Sequence, residues 1–212
     1  MSPPFLFDGP DDAPVTLLLA HGSGAPMDST AMNAATTALA AEGLRVARFE
    51  FSYMAARRID GSRKPPPKAE TLNPEFKAAV AALCVKGPLV IGGKSMGGRV
   101  ASMVADELHA EGKVAGLLCL GYPFHPPEKP GQLRAAHLMD LKVPALICQG
   151  TRDPFGRKDE VPGYGLPEHI RILWLEDGDH DLKPRKSLSG FSAADHLATM
   201  AKAVKAWTGT LR

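Results

Sequence analysis

The 212-residue sequence has little of several features that mark specialised classes of protein. Its net charge is only +2, with acidic and basic residues spread along the chain, so nothing indicates a surface for nucleic acid. No apolar run approaches the roughly 20 residues that cross a bilayer. The N-terminus lacks the basic start and apolar stretch of a signal peptide. We therefore expect a cytoplasmic protein that binds neither nucleic acid nor membrane.

Cysteine is also scarce. Cys84, Cys119 and Cys148 lie far apart, each within an apolar segment, and their spacing matches neither a disulfide framework nor a metal site. We expect reduced thiols in the core and no bound metal. With 44% hydrophobic residues the chain is long enough for one well-buried core, so the sequence predicts a single domain over residues 1–212.

What the sequence does contain is a regular alternation of apolar runs and amphipathic stretches. This alternation predicts an α/β fold, a mostly parallel sheet with helices on both faces. The connection before Leu72, with paired basic residues and three consecutive prolines, predicts an irregular surface loop. Strands are predicted at 15–20, 44–51, 89–93, 114–120, 143–150 and 170–176, and helices at 29–42, from 73, at 96–111 and from 192.

A nucleophile motif lies at residues 89–98, Leu-Val-Ile-Gly-Gly-Lys-Ser-Met-Gly-Gly. Gly93 and Gly97 flank Ser95 in a Gly-x-Ser-x-Gly pattern that follows an apolar strand and precedes a predicted helix. That context is typical of a nucleophile elbow. The turn is tight, so the positions around the serine need to be nearly free of side chain. It lifts the Ser95 hydroxyl above the sheet edge and directs the first helical N–H groups at the same space.

Two later strands end in the groups that a serine nucleophile requires. A hydroxyl needs a base to take its proton, and the base needs an acid to fix its tautomer. Asp153 follows the strand at 143–150, and His180 follows the strand at 170–176. Taken alone, Asp153 also fits an ordinary turn and His180 a solvated loop. Together with Ser95 they occur in the order Ser, Asp, His at three strand ends, which indicates a catalytic triad.

An oxyanion in acyl transfer needs two N–H donors already in place. One is predicted to be the backbone N–H of Met96, directly after the nucleophile. The other is expected from the loop His21-Gly22-Ser23-Gly24 after the first long strand, with the Ser23 N–H favoured and the Gly24 N–H second. The alternative is a glycine-rich turn without a catalytic role.

Other polar residues are weaker candidates. His125 and Tyr122 follow a strand end and are predicted to contact substrate. His196 falls within a predicted helix and is expected to face solvent. The basic residues of the 57–68 loop would attract an anionic substrate if the loop overhangs the pocket, although a solvated loop is the favoured interpretation.

These residues give the chain its family likeness. It resembles the α/β-hydrolase superfamily over nearly its whole length, and more narrowly the small, lidless dienelactone-hydrolase-like branch. Segments 20–28, 49–51 and 178–182 resemble a largely uncharacterised subgroup, which includes homologues of a subunit of the chromatin-associated non-specific-lethal complex. The resemblance implies a sheet of about seven or eight strands and a cofactor-free Ser-His-Asp hydrolase. Dienelactone hydrolases carry a cysteine nucleophile, whereas this chain has Ser95, so dienelactone cleavage itself is not expected.

The sequence therefore predicts a serine hydrolase that cleaves a small carboxylic ester or thioester through an acyl-enzyme. Residues 121–142, where a lid is usually inserted, are too few for a cap domain, which favours an open site. Two alternatives stay open. One is a hydrolase-like module that binds a protein partner with little or no catalysis. The other is a serine peptidase or acyltransferase of the same fold.

Overall fold

A computed structural model describes residues 4–61 and 65–211. Within these residues, seven strands form one sheet. They are Phe5–Asp8 (β1), Thr16–Ala20 (β2), Arg45–Phe49 (β3), Leu89–Lys94 (β4), Gly116–Leu120 (β5), Ala145–Gly150 (β6) and Ile170–Leu175 (β7). Their order is β1-β3-β2-β4-β5-β6-β7, with β1 antiparallel to β3 and the other pairs parallel. The prediction of a mostly parallel sheet is confirmed.

Six α-helices accompany the sheet in the part of the chain that the structure describes. They are Thr30–Ala41 (α1), Ser52–Asp60 (α2), Asn73–Ala82 (α3), Met96–Ala110 (α4), Lys186–Ser189 (α5) and Ala193–Thr208 (α6), with short 3₁₀ turns at Ala69–Leu72, Ala136–Leu138 and Val161–Tyr164. Within the described parts of the chain, no helix combines the length and the apolar character needed to span a membrane.

Helices cover both faces of the sheet because successive strand residues point to opposite sides. Leu17 and Leu19 of β2 pack with α1 and α6, whereas Leu18 and Ala20 pack on the other side with α3 and α4. All five β2 residues are buried. A strand buried on both faces needs a continuous apolar run, which is what the sequence supplies.

Parallel strands place their carboxyl ends at one edge of the sheet. Residues after β2, β4, β6 and β7 therefore meet there, although they are far apart in sequence. Residues 121–142, after β5, contain one 3₁₀ turn and no cap domain. The lidless architecture expected from the sequence is thus confirmed, and this edge of the sheet is open.

Several expectations were wrong in detail. Residues 52–60 form α2 instead of a loop, so Arg57 and Arg58 lie on a helix. Arg63 and Lys64 lie outside the described residues. Cys84 is exposed after α3, in contrast to the buried Cys119 and Cys148.

Candidate active site

Ser95 occupies a strained turn between β4 and α4. Its backbone has φ 51° and ψ −116°, a conformation that residues with a side chain rarely adopt. The flanking glycines are required by close approach. A Cβ at Gly93 would lie 2.4 Å from the carbonyl oxygen of Ala20, and one at Gly97 would lie 2.5 Å from the same oxygen. The turn therefore packs directly against the end of β2.

The structure brings Ser95, His180 and Asp153 into one hydrogen-bonded chain. The Ser95 Oγ is 2.8 Å from the His180 Nε2, and the His180 Nδ1 is 2.8 Å from the Asp153 Oδ2. In this arrangement the imidazole carries its proton on Nδ1, and this N–H group donates a hydrogen bond to the carboxylate. Nε2 is then free to accept the hydroxyl proton.

The Asp153 carboxylate is fully buried and is held at both oxygens. Oδ2 also accepts a hydrogen bond of 2.9 Å from the Gln149 side-chain amide, and Oδ1 accepts one of 2.9 Å from the Phe155 backbone N–H. The Gln149 amide oxygen in turn accepts the N–H of Tyr122 at 2.7 Å. These bonds leave the carboxylate little freedom to turn away from His180.

His180 is held through its backbone and its ring. The Lys94 ammonium donates to the His180 carbonyl oxygen at 2.7 Å and lies 3.2 Å from the Asp181 carboxylate. Burial lowers the pKa of Lys94, and the charge of Asp181 opposes that effect. The Phe155 ring lies 4.2 Å from the imidazole, centroid to centroid, and covers one face of it.

The two backbone N–H groups predicted as oxyanion donors, those of Met96 and Ser23, belong to segments that lie against Ser95. Met96 opens α4, so its N–H has no acceptor one turn earlier in the helix. A Cβ added at Gly22 would lie 3.8 Å from the Ser95 Cβ, which places the loop that carries Ser23 against the nucleophile. Within residues 4–61 and 65–211, neither the Met96 nor the Ser23 N–H donates to a backbone acceptor. Gly24 lines the smaller of the two pockets beside Ser95.

His21 fixes the direction of the Ser23 N–H. Its Nδ1 is 2.7 Å from the carbonyl oxygen of Gly22, which belongs to the same peptide group as the Ser23 N–H. Its Nε2 accepts the Phe51 N–H at 3.1 Å, so the ring is neutral with the proton on Nδ1. Burial lowers the pKa of His21, although its contact with Gly22 opposes the shift. The Tyr53 hydroxyl donates to the Ser23 carbonyl at 3.1 Å and fixes the next peptide.

Two pockets meet at Ser95. The larger, of about 460 Å³, lies over the start of α4 and is lined by Ser23, Pro66, Pro67, Lys68, Ala69, Glu70, Ser95, Met96, Arg99, Pro123, Arg134 and Phe155. The smaller, of about 180 Å³, includes His180, Lys94, Met32 and residues 22–25. Residues 66–68, the end of the predicted basic loop, therefore border the site.

Tyr122 and His125 are not brought to Ser95. The Tyr122 side chain is fully buried, and its hydroxyl contacts Ser102 at 3.3 Å and the Arg134 carbonyl at 3.3 Å. The His125 ring is 1% exposed and contacts the Pro126 carbonyl and Glu160. The expectation that they contact substrate does not hold, because the chain after β5 turns their side chains into the core.

A second Ser–His contact joins Ser102 to His137 at 2.8 Å, but it lacks the features of a nucleophile site. Ser102 is 3% exposed in the middle of α4 and donates to the Arg99 carbonyl. Within the described residues, no carboxylate is hydrogen-bonded to His137. His196 is also structural. It is buried rather than solvent-facing, with its Nδ1 2.8 Å from the Leu182 carbonyl.

Sequence reasoning missed the residues that support the three central side chains. Gln149, Phe155 and Tyr53 carry no motif, and only the position of Gln149 at a strand end next to Asp153 hinted at a role. Lys94 occupies the first variable position of the Gly-x-Ser-x-Gly pattern, so the pattern itself predicts no function for it.

Residues 13–209 match the family described as alpha/beta hydrolase domain. The chain belongs to this α/β-hydrolase family. Solved α/β-hydrolases have the same fold at low identity. Dienelactone hydrolase from Anabaena variabilis is 20% identical with a TM-score of 0.73, and the match covers 98% of this chain and 92% of that chain.

XC6422 from Xanthomonas campestris, described as an α/β serine hydrolase without lid, is 20% identical. Its TM-score is 0.67, with 96% of this chain and 88% of that chain covered. Est1E from Butyrivibrio proteoclasticus, solved with ferulic acid, is 14% identical with a TM-score of 0.67 and coverage of 97% and 93%. The chain is thus a lidless α/β-hydrolase whose fold is similar to that of dienelactone hydrolase.

Proposed function

We propose that this α/β-hydrolase is a serine esterase or thioesterase that works through an acyl-enzyme. The observation that supports the proposal most directly is the continuous hydrogen-bonded chain from Ser95 through His180 to Asp153. The strained backbone of Ser95 adds to it, because strain of this kind concentrates where function requires it.

In the first half of the reaction the Ser95 Oγ attacks the ester carbonyl carbon, and the His180 Nε2 takes the hydroxyl proton. Asp153 stabilises the imidazolium that forms. The carbonyl oxygen becomes an oxyanion, for which the Met96 and Ser23 N–H groups are the donors. Collapse breaks the bond to the alcohol or thiol, which leaves with the proton from His180.

In the second half a water molecule replaces the leaving group. His180 takes a proton from the water, whose oxygen attacks the acyl carbon, and the acid departs as the proton returns to Ser95. The open edge of the sheet favours short acyl groups or the exposed end of a larger molecule. The proposed substrate is therefore a small-molecule ester or thioester, with the reaction located in the cytoplasm and no cofactor involved.

The decisive experiment compares wild type with Ser95→Ala. A fluorophosphonate probe is expected to label the wild-type protein once, and hydrolysis of 4-nitrophenyl butyrate should fall by at least about 10³-fold in the variant. Ser102→Ala is the matched control, because Ser102 also contacts a histidine but is buried away from the pockets. The fluorophosphonate probe should still label the Ser102→Ala variant.

Probe labelling that persists in Ser95→Ala would refute the assignment of the nucleophile. A folded wild-type protein that neither reacts with the probe nor cleaves any activated ester would favour the protein-binding alternative. Transfer of the acyl group to an amine or alcohol in preference to water would indicate an acyltransferase, and cleavage of peptides a peptidase.

A further inference from the structure

The larger pocket beside Ser95 carries more positive than negative charge. Lys68, Arg99 and Arg134 line it, and Glu70 is the one carboxylate among its described lining residues. Cations that border a pocket attract anionic ligands, and the low-dielectric walls of the pocket strengthen that attraction. The excess of cations therefore needs a chemical explanation.

Arg99 lies on the same face of α4 as the nucleophile. It is four residues after Ser95, and its N–H donates to the Ser95 carbonyl at 3.0 Å, so the two are one helical turn apart. The Arg99 side chain is 17% exposed and is paired with Glu70. Its Nε is buried and has no hydrogen-bond partner among the described residues, although such groups are normally satisfied.

The guanidinium group of Arg134 has fewer polar partners among the described residues than that of Arg99. Within the described residues, its side chain forms neither a hydrogen bond nor a salt bridge with any protein group, and its described hydrogen bonds are made by its backbone. Burial lowers the pKa of Arg134, and the neighbouring charge of Arg99 lowers it further. A bound anion would stabilise the charged guanidinium of Arg134 and so offset both effects.

The position of His180 tells which end of the substrate enters this pocket. The imidazole must reach the leaving-group oxygen to protonate it. His180 lines the smaller pocket and does not border the larger one. The leaving group therefore lies over the smaller pocket, and the acyl group extends into the pocket with Arg99 and Arg134.

We infer that the natural substrate is an ester or thioester whose acyl chain ends in a carboxylate, bound by Arg134 together with Arg99. This inference rests on the proposed function and adds the substrate class. Arg134 supplies the unshared cation, and planar guanidinium groups match a carboxylate well. Lys68 adds to the field at the rim.

The test compares two esters that differ only in charge, mono-4-nitrophenyl adipate and its neutral methyl ester. The wild-type protein is expected to prefer the free acid by roughly tenfold or more in kcat/KM, since hydrogen bonds to charged groups have about this worth. The preference should shrink as ionic strength rises. In Arg134→Met the preference should disappear, and in Arg134→Lys it should be partly retained.

Lys129→Met is the matched control. Lys129 is an exposed cation in the same 121–142 segment, five residues from Arg134, and it does not line the pocket. Its replacement removes the same charge from the molecule and should leave the preference as in wild type. Equal loss in both variants would mean that net charge, not a binding site, causes the preference, and would overturn the inference.

A binding measurement separates this inference from the proposed reaction. Calorimetric titration with monomethyl adipate needs no turnover, and its affinity should fall roughly tenfold in Arg134→Met relative to Lys129→Met. Binding that Arg134→Met does not weaken overturns the inference even if esters are cleaved. A preference for charge on the leaving group, seen with 4-acetoxybenzoate over its methyl ester but not with the adipate pair, overturns it as well.

Discussion

Asp153 shows at the scale of one residue how the site is held. Its carboxylate is buried. Oδ2 accepts from His180 and from the Gln149 amide, and Oδ1 accepts from the Phe155 N–H. Buried charge is costly unless it is fully hydrogen-bonded. The hydrogen bonds from Gln149 and Phe155 therefore hold the Asp153 carboxylate in place whether or not the imidazole is charged.

Asp153→Asn is expected to retain the fold and lose most of the activity. An amide NH₂ turned toward His180 would favour the tautomer with the proton on Nε2, which cannot accept the proton of Ser95. We expect kcat for 4-nitrophenyl butyrate to fall by about 10⁴-fold, as when a triad aspartate is neutralised elsewhere. Asp159→Asn, a change at an exposed acid, serves as the control. A kcat in Asp153→Asn within tenfold of wild type would remove Asp153 from the mechanism.

At the scale of elements, the site depends on how closely β2, β4 and α4 approach one another. A Cβ at Gly97 would lie 2.5 Å from the Ala20 carbonyl oxygen and 2.6 Å from that of His21. Both contacts are to backbone, which cannot move aside as a flexible side chain does. The approach that brings the Ser23 loop to Ser95 thus requires glycine at position 97.

Gly97→Ala is therefore expected to destabilise the protein. The free energy of unfolding should fall by about 1–3 kcal/mol, the usual cost of overpacking, measured by urea denaturation. Gly131→Ala is the matched control, because a Cβ at Gly131 meets no atom within 4 Å, and its effect should stay within about 0.5 kcal/mol. Equal stability of the two variants would show that β2 and α4 are not as close as described.

The elements also show how far the sequence predicts the structure. β2, β4, β5 and β6 were predicted because each is a compact apolar run that the fold buries. β3 and β7 were also predicted, although each includes arginine and β7 is only partly buried. α2 was missed because Met54 is its one buried residue, so it has no apolar stripe. β1 was missed because it is a short edge strand with partly exposed side chains.

The site could be predicted to the extent that its residues sit at the ends of recognisable strands. Ser95, Asp153 and His180 do, so their chain order was informative. The contact of Lys94 with His180 is tertiary and leaves no periodic trace in the sequence. The contact of Gln149 with Asp153, four residues apart, depends on the turn after β6. The prediction that Tyr122 and His125 contact substrate was wrong for a similar reason. Their positions near a strand end did not determine which way their side chains point.

At the scale of the whole molecule, several ion pairs join separate elements of the fold. Arg48 bridges Asp8 and Asn33 beneath α1, and Arg58 of α2 pairs with Glu50 and Asp28. Arg58, one of the cations predicted to lie in a solvated loop, thus links α2 to the core. Against this background, His21 and His137 are the groups through which moderate acid should weaken the fold.

His21 and His137 both have a pKa below 6.5 in the folded protein, mainly because of burial. Well above pH 6.5 both are neutral in the folded and the unfolded chain, so they do not make stability depend on pH there. As the pH falls below 6.5, the unfolded chain takes up protons that the folded chain does not. The free energy of unfolding should therefore fall with decreasing pH until the pKa values of the folded state are reached.

His21 should contribute most to this dependence, because protonation of its Nε2 would also break the bond from the Phe51 N–H. We expect it to add up to about 1.4 kcal/mol per pH unit below pH 6.5. Urea denaturation between pH 7.5 and 5.5 should show this slope in wild type and in His169→Gln, a change at an exposed histidine. The slope should be reduced in His21→Asn. Stability that rises toward pH 5.5, or an unchanged slope in His21→Asn, would mean that folding does not disfavour protonation of His21. The peptide group that carries the Ser23 N–H would then not be fixed as described.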